Sequence, residues 1–189
     1  MRSTTSLDEL SEDLHPSSAA PLSEEEVRGL EDLVQASLPG EFRSFLLRFG
    51  LGAHPGLVID LEWIIEWTSR ERQACEGAPW LAVSASDPFP ITEADAARLP
   101  RLAPPILTSP RPTPGTMLLR DHGSSLVSIL ALNGDLAGTV WMTDQRWGET
   151  YWWPSAPWIH DHRWGYVHCG WTTPIPFLDW YIGWTRPPV

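Results

Sequence analysis

Residues 126–132 read LVSILAL, and this stretch constrains the fold more than any other. In an extended chain successive side chains point to opposite faces. Val127, Ile129 and Ala131 then lie on one face, and Leu126, Leu130 and Leu132 on the other. A strand apolar on both faces predicts a central strand of a sheet covered on both sides. Strand candidates flank it in MLLRDHG (117–123) and AGTVWMTD (137–144), and the turn NGDLAG (133–138) predicts an antiparallel hairpin.

Helical patterns surround this β block. In LSEEEVRGLEDLVQAS (22–37), Ser23 and Glu26 form a capping-box pair, and Val27, Leu30 and Val34 recur at helical spacing. In LPGEFRSFLLRFG (38–50), Phe42, Phe45, Leu46 and Phe49 make one apolar face between Pro39 and Gly50. A third helix is predicted over about 60–74, with Leu61, Ile64, Ile65 and Thr68 on one side and Trp63 and Trp67 as an i, i+4 pair. The region from 79 to 116 is proline-rich, and only short strands such as WLAVSA (80–85) and PPILTS (104–109) are expected there. At the C-terminal end Phe177, Trp180, Tyr181 and Trp184 return to helical spacing between Pro176 and Pro187. Trp141, Trp180 and Trp184 read as core. Helices, then strands, then a closing helix predict an α+β domain, with helices packed on an antiparallel sheet.

The length of 189 residues suits one domain. Residues 1–21 are polar and acidic and predict a flexible tail, leaving 22–189 as the folded unit. Neither a secretion signal nor a membrane-spanning run is visible, so a cytoplasmic location is expected. Cys75 and Cys169 form no recognisable pattern.

The formal net charge is −11, and the first 36 residues hold nine acids against two arginines. Direct nucleic-acid binding is not expected, because phosphate contacts need clustered positive charge. A basic protein partner would be attracted. All 13 basic residues are arginine, which removes every mechanism that needs a lysine.

Residues 147–171 contain the densest chemistry, with YWWPSAPWIHDHRWGYVHCGW at 151–171. Trp147, Glu149, Trp152, Trp153, Trp158, Asp161, Arg163 and Trp164 have the composition of a protein interface, where Trp, Tyr and Arg are the usual anchors. Trp152 and Trp153 are adjacent, so a strand would turn them to opposite sides. The competing reading is a loop with its own small core. Glu24, Glu25, Glu31 and Asp32 on the first helix form a second candidate binding surface, against the plain reading of a solvated helix face. His160, His162, His168 and Cys169 offer zinc-type ligands without a recognised spacing, and no metal or cofactor is expected. Asp121-His122 lacks a visible nucleophile, and Glu149 with Asp161 would make a glycosidase-like carboxylate pair. G-x-S-x-G, H-E-x-x-H and G-x-G-x-x-G are absent, and no catalytic residue is assigned.

Four pieces, in order, resemble the SUKH superfamily, the bacterial immunity proteins related to fungal cell-wall-synthesis regulators. L-P-x-x-F-x-x-F-L-x-x-F-G (38–50) resembles its second-helix signature. PFPIT (88–92), GTMLLRDHGSSLVSILALNGDLAGTVWMTDQR (115–146) and FLDWYIGW (177–184) resemble a motif, the central block and the closing helix of one bacterial branch. The sequence departs from that branch where the Gly-Cys-Gly usual after the aspartate is here His122-Gly123-Ser124-Ser125, and where 147–171 reads as a Trp-rich insertion. The resemblance implies a non-enzymatic binding domain that neutralises a toxin, such as a basic nuclease domain, by occluding it. The alternatives from the residues are a metal- or carbohydrate-binding protein using 147–171, or a regulatory scaffold with several weak partners.

Overall fold

The computed structural model describes residues 3–13, 20–51, 59–76, 85–102, 106–110, 113–122, 126–146, 149–155, 160–161, 165–166 and 173–185. Helices α1 (Leu7–Asp13), α2 (Glu24–Val34), α3 (Gly40–Phe49) and α4 (Leu61–Glu76) come first, followed by the short α5 (Glu93–Ala96). Strands β1 (Leu107–Pro110), β2 (Thr116–Asp121), β3 (Leu126–Ala131), β4 (Thr139–Arg146) and β5 (Glu149–Pro154) build the sheet. Then come β6 (His160–Asp161), β7 (Gly165–Tyr166), β8 (Ile175–Pro176) and the closing α6 (Phe177–Thr185). The main sheet has six antiparallel strands in the order β1-β5-β4-β3-β2, with β8 added beside β4, while β6 and β7 pair separately. This is an α+β architecture.

As its sequence requires, β3 lies between β2 and β4 and is buried on both faces. Leu130 joins Met117, Leu119 and Val140 beneath Phe42, Phe45 and Leu46 of α3 and Phe177, Trp180 and Tyr181 of α6. The aromatic contacts there are close: Phe42 and Phe45 meet the Phe177 ring edge-on at 4.8 and 5.1 Å. On the other face Val127, Ile129 and Ala131 pack with Trp141, Trp152, Phe89, Ile91 and Leu99. Phe89 stands edge-on to Trp152 at 5.1 Å. The segment carrying Phe89 approaches the sheet at Gly115, where φ is +63° and a Cβ would lie 2.4 Å from the Asp87 carbonyl oxygen. Only glycine fits there.

The helix ends follow local chemistry. Ser23 and Glu26 form the expected capping box on α2. Gly50 ends α3 at φ +74°, where a Cβ would lie 2.1 Å from the Ala20 carbonyl oxygen.

Three expectations are corrected. Residues 3–13 are not a flexible tail. Ser6 caps α1 by accepting from the Glu9 N–H at 3.2 Å, while the Glu9 carboxylate accepts from the Ser6 N–H at 2.7 Å. Leu10 is fully buried. Ser3 donates twice to Glu41 of α3, and Thr4 and Thr5 donate to Asp179 of α6. Second, the stretch from 147 to 171 is not a loop lying wholly outside the sheet, because β5 lies between β1 and β4. Third, the buried side of α4 runs through Ile64, with Trp67 and Thr68 half-buried beside it, whereas Leu61 and Ile65 are exposed. The proposed strand at 80–85 lies almost wholly outside the described residues, and PPILTS supplies β1, an edge strand that tolerates Pro110.

Leu10→Ala is expected to destabilise the chain by about 2–4 kcal/mol, seen as a lowered urea midpoint. An unchanged midpoint would restore the tail reading.

Candidate protein-interaction surface

The ladder of β5 decides the fate of its two adjacent tryptophans. Trp152 pairs in register with Thr143 and Leu107, and Trp153 with Met142. Trp152 is fully buried and its Nε1 donates to Ser109 Oγ at 2.7 Å. It is therefore corrected from an interface anchor to a core residue, since it has no surface to offer a partner. Trp153 is half-exposed on the opposite face, which it shares with Tyr151 and Asp144. Glu149 begins β5, opposite Arg146 of β4 and Pro110 of β1, and Asp161 of β6 pairs with Gly165 of β7. Trp147, Trp158, Arg163 and Trp164 lie outside the described residues, as do His162, His168 and Cys169 of the zinc reading. Among the described residues no three His, Cys, Asp or Glu side chains are placed to hold a metal ion.

The acidic surface on α2 divides into two pairs. The Glu24 carboxylate pairs with the Arg43 guanidinium of α3, and that hydrogen bond holds its pKa below the ordinary carboxylate value. Glu31 accepts from the Leu38 N–H at 3.0 Å and lies 3.8 Å from Arg43 Nε. These two acids are engaged in joining α2 to α3. Glu25 and Asp32 are exposed and have no partner among the described residues.

A polar chain runs through the interior that sequence reasoning did not assemble. Trp180 Nε1 on α6 donates to Ser155 Oγ at 2.8 Å. Ser155 Oγ is 3.1 Å from Ser128 Oγ on β3, which is 2.8 Å from His122 Nε2. An indole N–H can only donate. The chain is satisfied when Ser155 passes its proton to Ser128 and Ser128 passes its own to a bare Nε2. These proton positions are assigned from the network. Burial, with the Arg120 charge second, pushes the His122 pKa down to about 3, so the ring is neutral and its Nε2 is free to accept. Ser128 thus stands beside a histidine, but both serines are fully buried. A nucleophile must reach its substrate, and Ser128 has no surface from which to do so. The pairing escaped sequence reasoning because His122 and Ser128 meet only through the β2–β3 register.

A hollow of about 340 Å³ beside α5 is walled by Ala96, Ala97, Pro100, Leu136 and Pro174. Among the described residues its polar lining is Glu93 and Thr173, fewer than the several convergent polar groups that orient a small ligand. Exposed large apolar side chains, among the described residues, are Leu61, Trp63 and Ile65, all on α4. No helix among the described residues is long and apolar enough to cross a membrane.

No family model matches this chain, and neither a curated protein nor a solved structure matches it with significant similarity.

Because His122 is held neutral, the unfolded chain takes up a proton that the folded chain refuses below the ordinary value of 6.5. Stability is therefore expected to fall on acidification from pH 6.5 toward about 3, by up to about 1.4 kcal/mol per pH unit. Urea unfolding at a series of pH values checks this. His122→Gln should flatten the slope above about pH 5, where ordinary carboxylates remain ionised. Equal slopes in the two proteins would mean that His122 is not held neutral.

Proposed function

We propose that this chain is a non-enzymatic, cytoplasmic binding domain of the SUKH type that neutralises a cognate bacterial toxin by binding and occluding it. The observation that carries the reading is where the family-like motifs fall. The 38–50 signature is α3, the 115–146 block is β2 to β4, and 177–184 lies in α6. These elements meet in one core, through Phe42, Phe45, Leu130, Val140, Phe177 and Trp180. The likeness thus concerns elements that build this chain's own core, which supports a SUKH-type reading with binding at the surface.

The surface chemistry supports a protein partner. Glu25 and Asp32 are exposed on α2, Trp153 is half-exposed on β5, and α4 carries exposed apolar side chains. Acidic groups speed capture of a basic toxin, and apolar anchors lengthen the residence of the complex.

Co-expression with toxin domains encoded by the same organism tests the proposal. One toxin should lose its lethality when this chain is present and should co-purify with it in a one-to-one complex. Undiminished lethality of every such toxin, with no complex formed, would overturn it.

A further inference from the structure

The outer side of α4 has an order that the core does not explain. With about 100° between successive helical residues, the buried side of α4 is occupied by Ile64, Trp67 and Thr68. Going round the remaining side, Leu61 and Ile65 come first, then Ser69, then Glu62 and Glu66, then Arg70 and Trp63. All seven are exposed. Leu61, Ile65 and Trp63 keep 42, 43 and 40% of their surface in solvent. Two carboxylates therefore stand between two apolar flanks. Glu66 pairs with Arg70, while the Glu62 side chain has no partner among the described residues. Asp60 caps the start of α4, its carboxylate accepting from the Glu62 N–H at 2.8 Å.

We propose that this outer face of α4 docks a basic amphipathic helix of the partner protein. The proposal rests on the protein-binding reading above and names the surface and the chemistry it selects. Leu61 and Ile65, one turn apart, form a ridge against which an apolar stripe packs. Trp63 lies on the far side of α4 from Leu61, about 200° round the helix, and stays outside this contact. Lysine or arginine beside the partner's stripe meets Glu62 and competes with Arg70 for Glu66, and the net charge of −11 favours such a partner from a distance. A second copy of this chain fits poorly, because two such faces oppose like carboxylates and each chain repels the other.

The test titrates the isotope-labelled full chain with a short synthetic Leu/Lys amphipathic helix, followed by NMR. The expected result is one-to-one binding with shifts centred on residues 60–70 and weakened by added salt. A Leu/Glu version of the peptide should not bind. Leu61→Ser/Ile65→Ser and Glu62→Gln/Glu66→Gln change only exposed side chains and should keep the fold, checked by circular dichroism. Each should weaken binding by about tenfold or more. Absence of binding, shifts centred on α1 or α2, equal affinity of the variants, or self-association through α4 would each overturn the proposal. The same variants separate it from the functional reading. A toxin bound equally by wild type and Glu62→Gln/Glu66→Gln would remove α4 as the site and leave neutralisation standing. If no toxin binds, neutralisation falls, and the peptide titration still judges the α4 face.

Discussion

β3 buries Val127, Ile129 and Ala131 on one face and Leu130 on the other, and this two-sided burial sets the task of the elements around it. One face needs a helical layer, supplied by α1, α2, α3 and α6 with Ile64 of α4. The other needs a second cover, which the segment around Phe89, Ile91 and Leu99 provides. The buried tryptophans bring polar N–H groups into both layers, and an unmet N–H there carries a desolvation penalty. Trp141 donates to Thr139, Trp152 to Ser109 and Trp180 to Ser155. The hydroxyls on the strands and just beyond β5 thus allow tryptophan to fill the core.

Ser155 has the widest reach of these groups. It follows β5 directly, and its backbone N–H donates to the Val140 carbonyl of β4 at 3.1 Å. Its hydroxyl joins α6 to β3, and through Ser128 to the end of β2. The arrangement converts residues with catalytic potential into structural links. His122 is kept neutral and Ser128 is sealed from solvent.

Much of the scaffold was legible because its signals are local. The alternation in LVSILAL, the NGDLAG turn, the Ser23/Glu26 capping box and the aromatic spacing of α6 each lie within a few residues. The misread parts depend on distant partners. α1 has its own Ser6/Glu9 capping box, but it is short, and its docking uses Glu41 and Asp179 from remote elements. β5 looked like an insertion because its tryptophan density hides the alternation, and its burial comes from pairing with β1 and β4. In α4, Leu61, Trp63, Ile64, Ile65 and Trp67 spread apolar groups over rather more than half of the helix circumference, so periodicity alone could not choose the buried side. The same ambiguity hid the exposed face, which becomes recognisable once Ile64 is seen to mark the core.

A sealed hydroxyl chain locks the helix α6 to the sheet. A double-mutant cycle on Trp180→Phe and Ser155→Ala measures this most directly, because Phe keeps most of the aromatic bulk and removes only the indole N–H. Urea unfolding of the wild type, both single variants and the pair should give a coupling of about 1 kcal/mol or more. Additive effects would contradict the account, since Trp180 and Ser155 would then contribute independently and the chain would not hold α6 to the sheet.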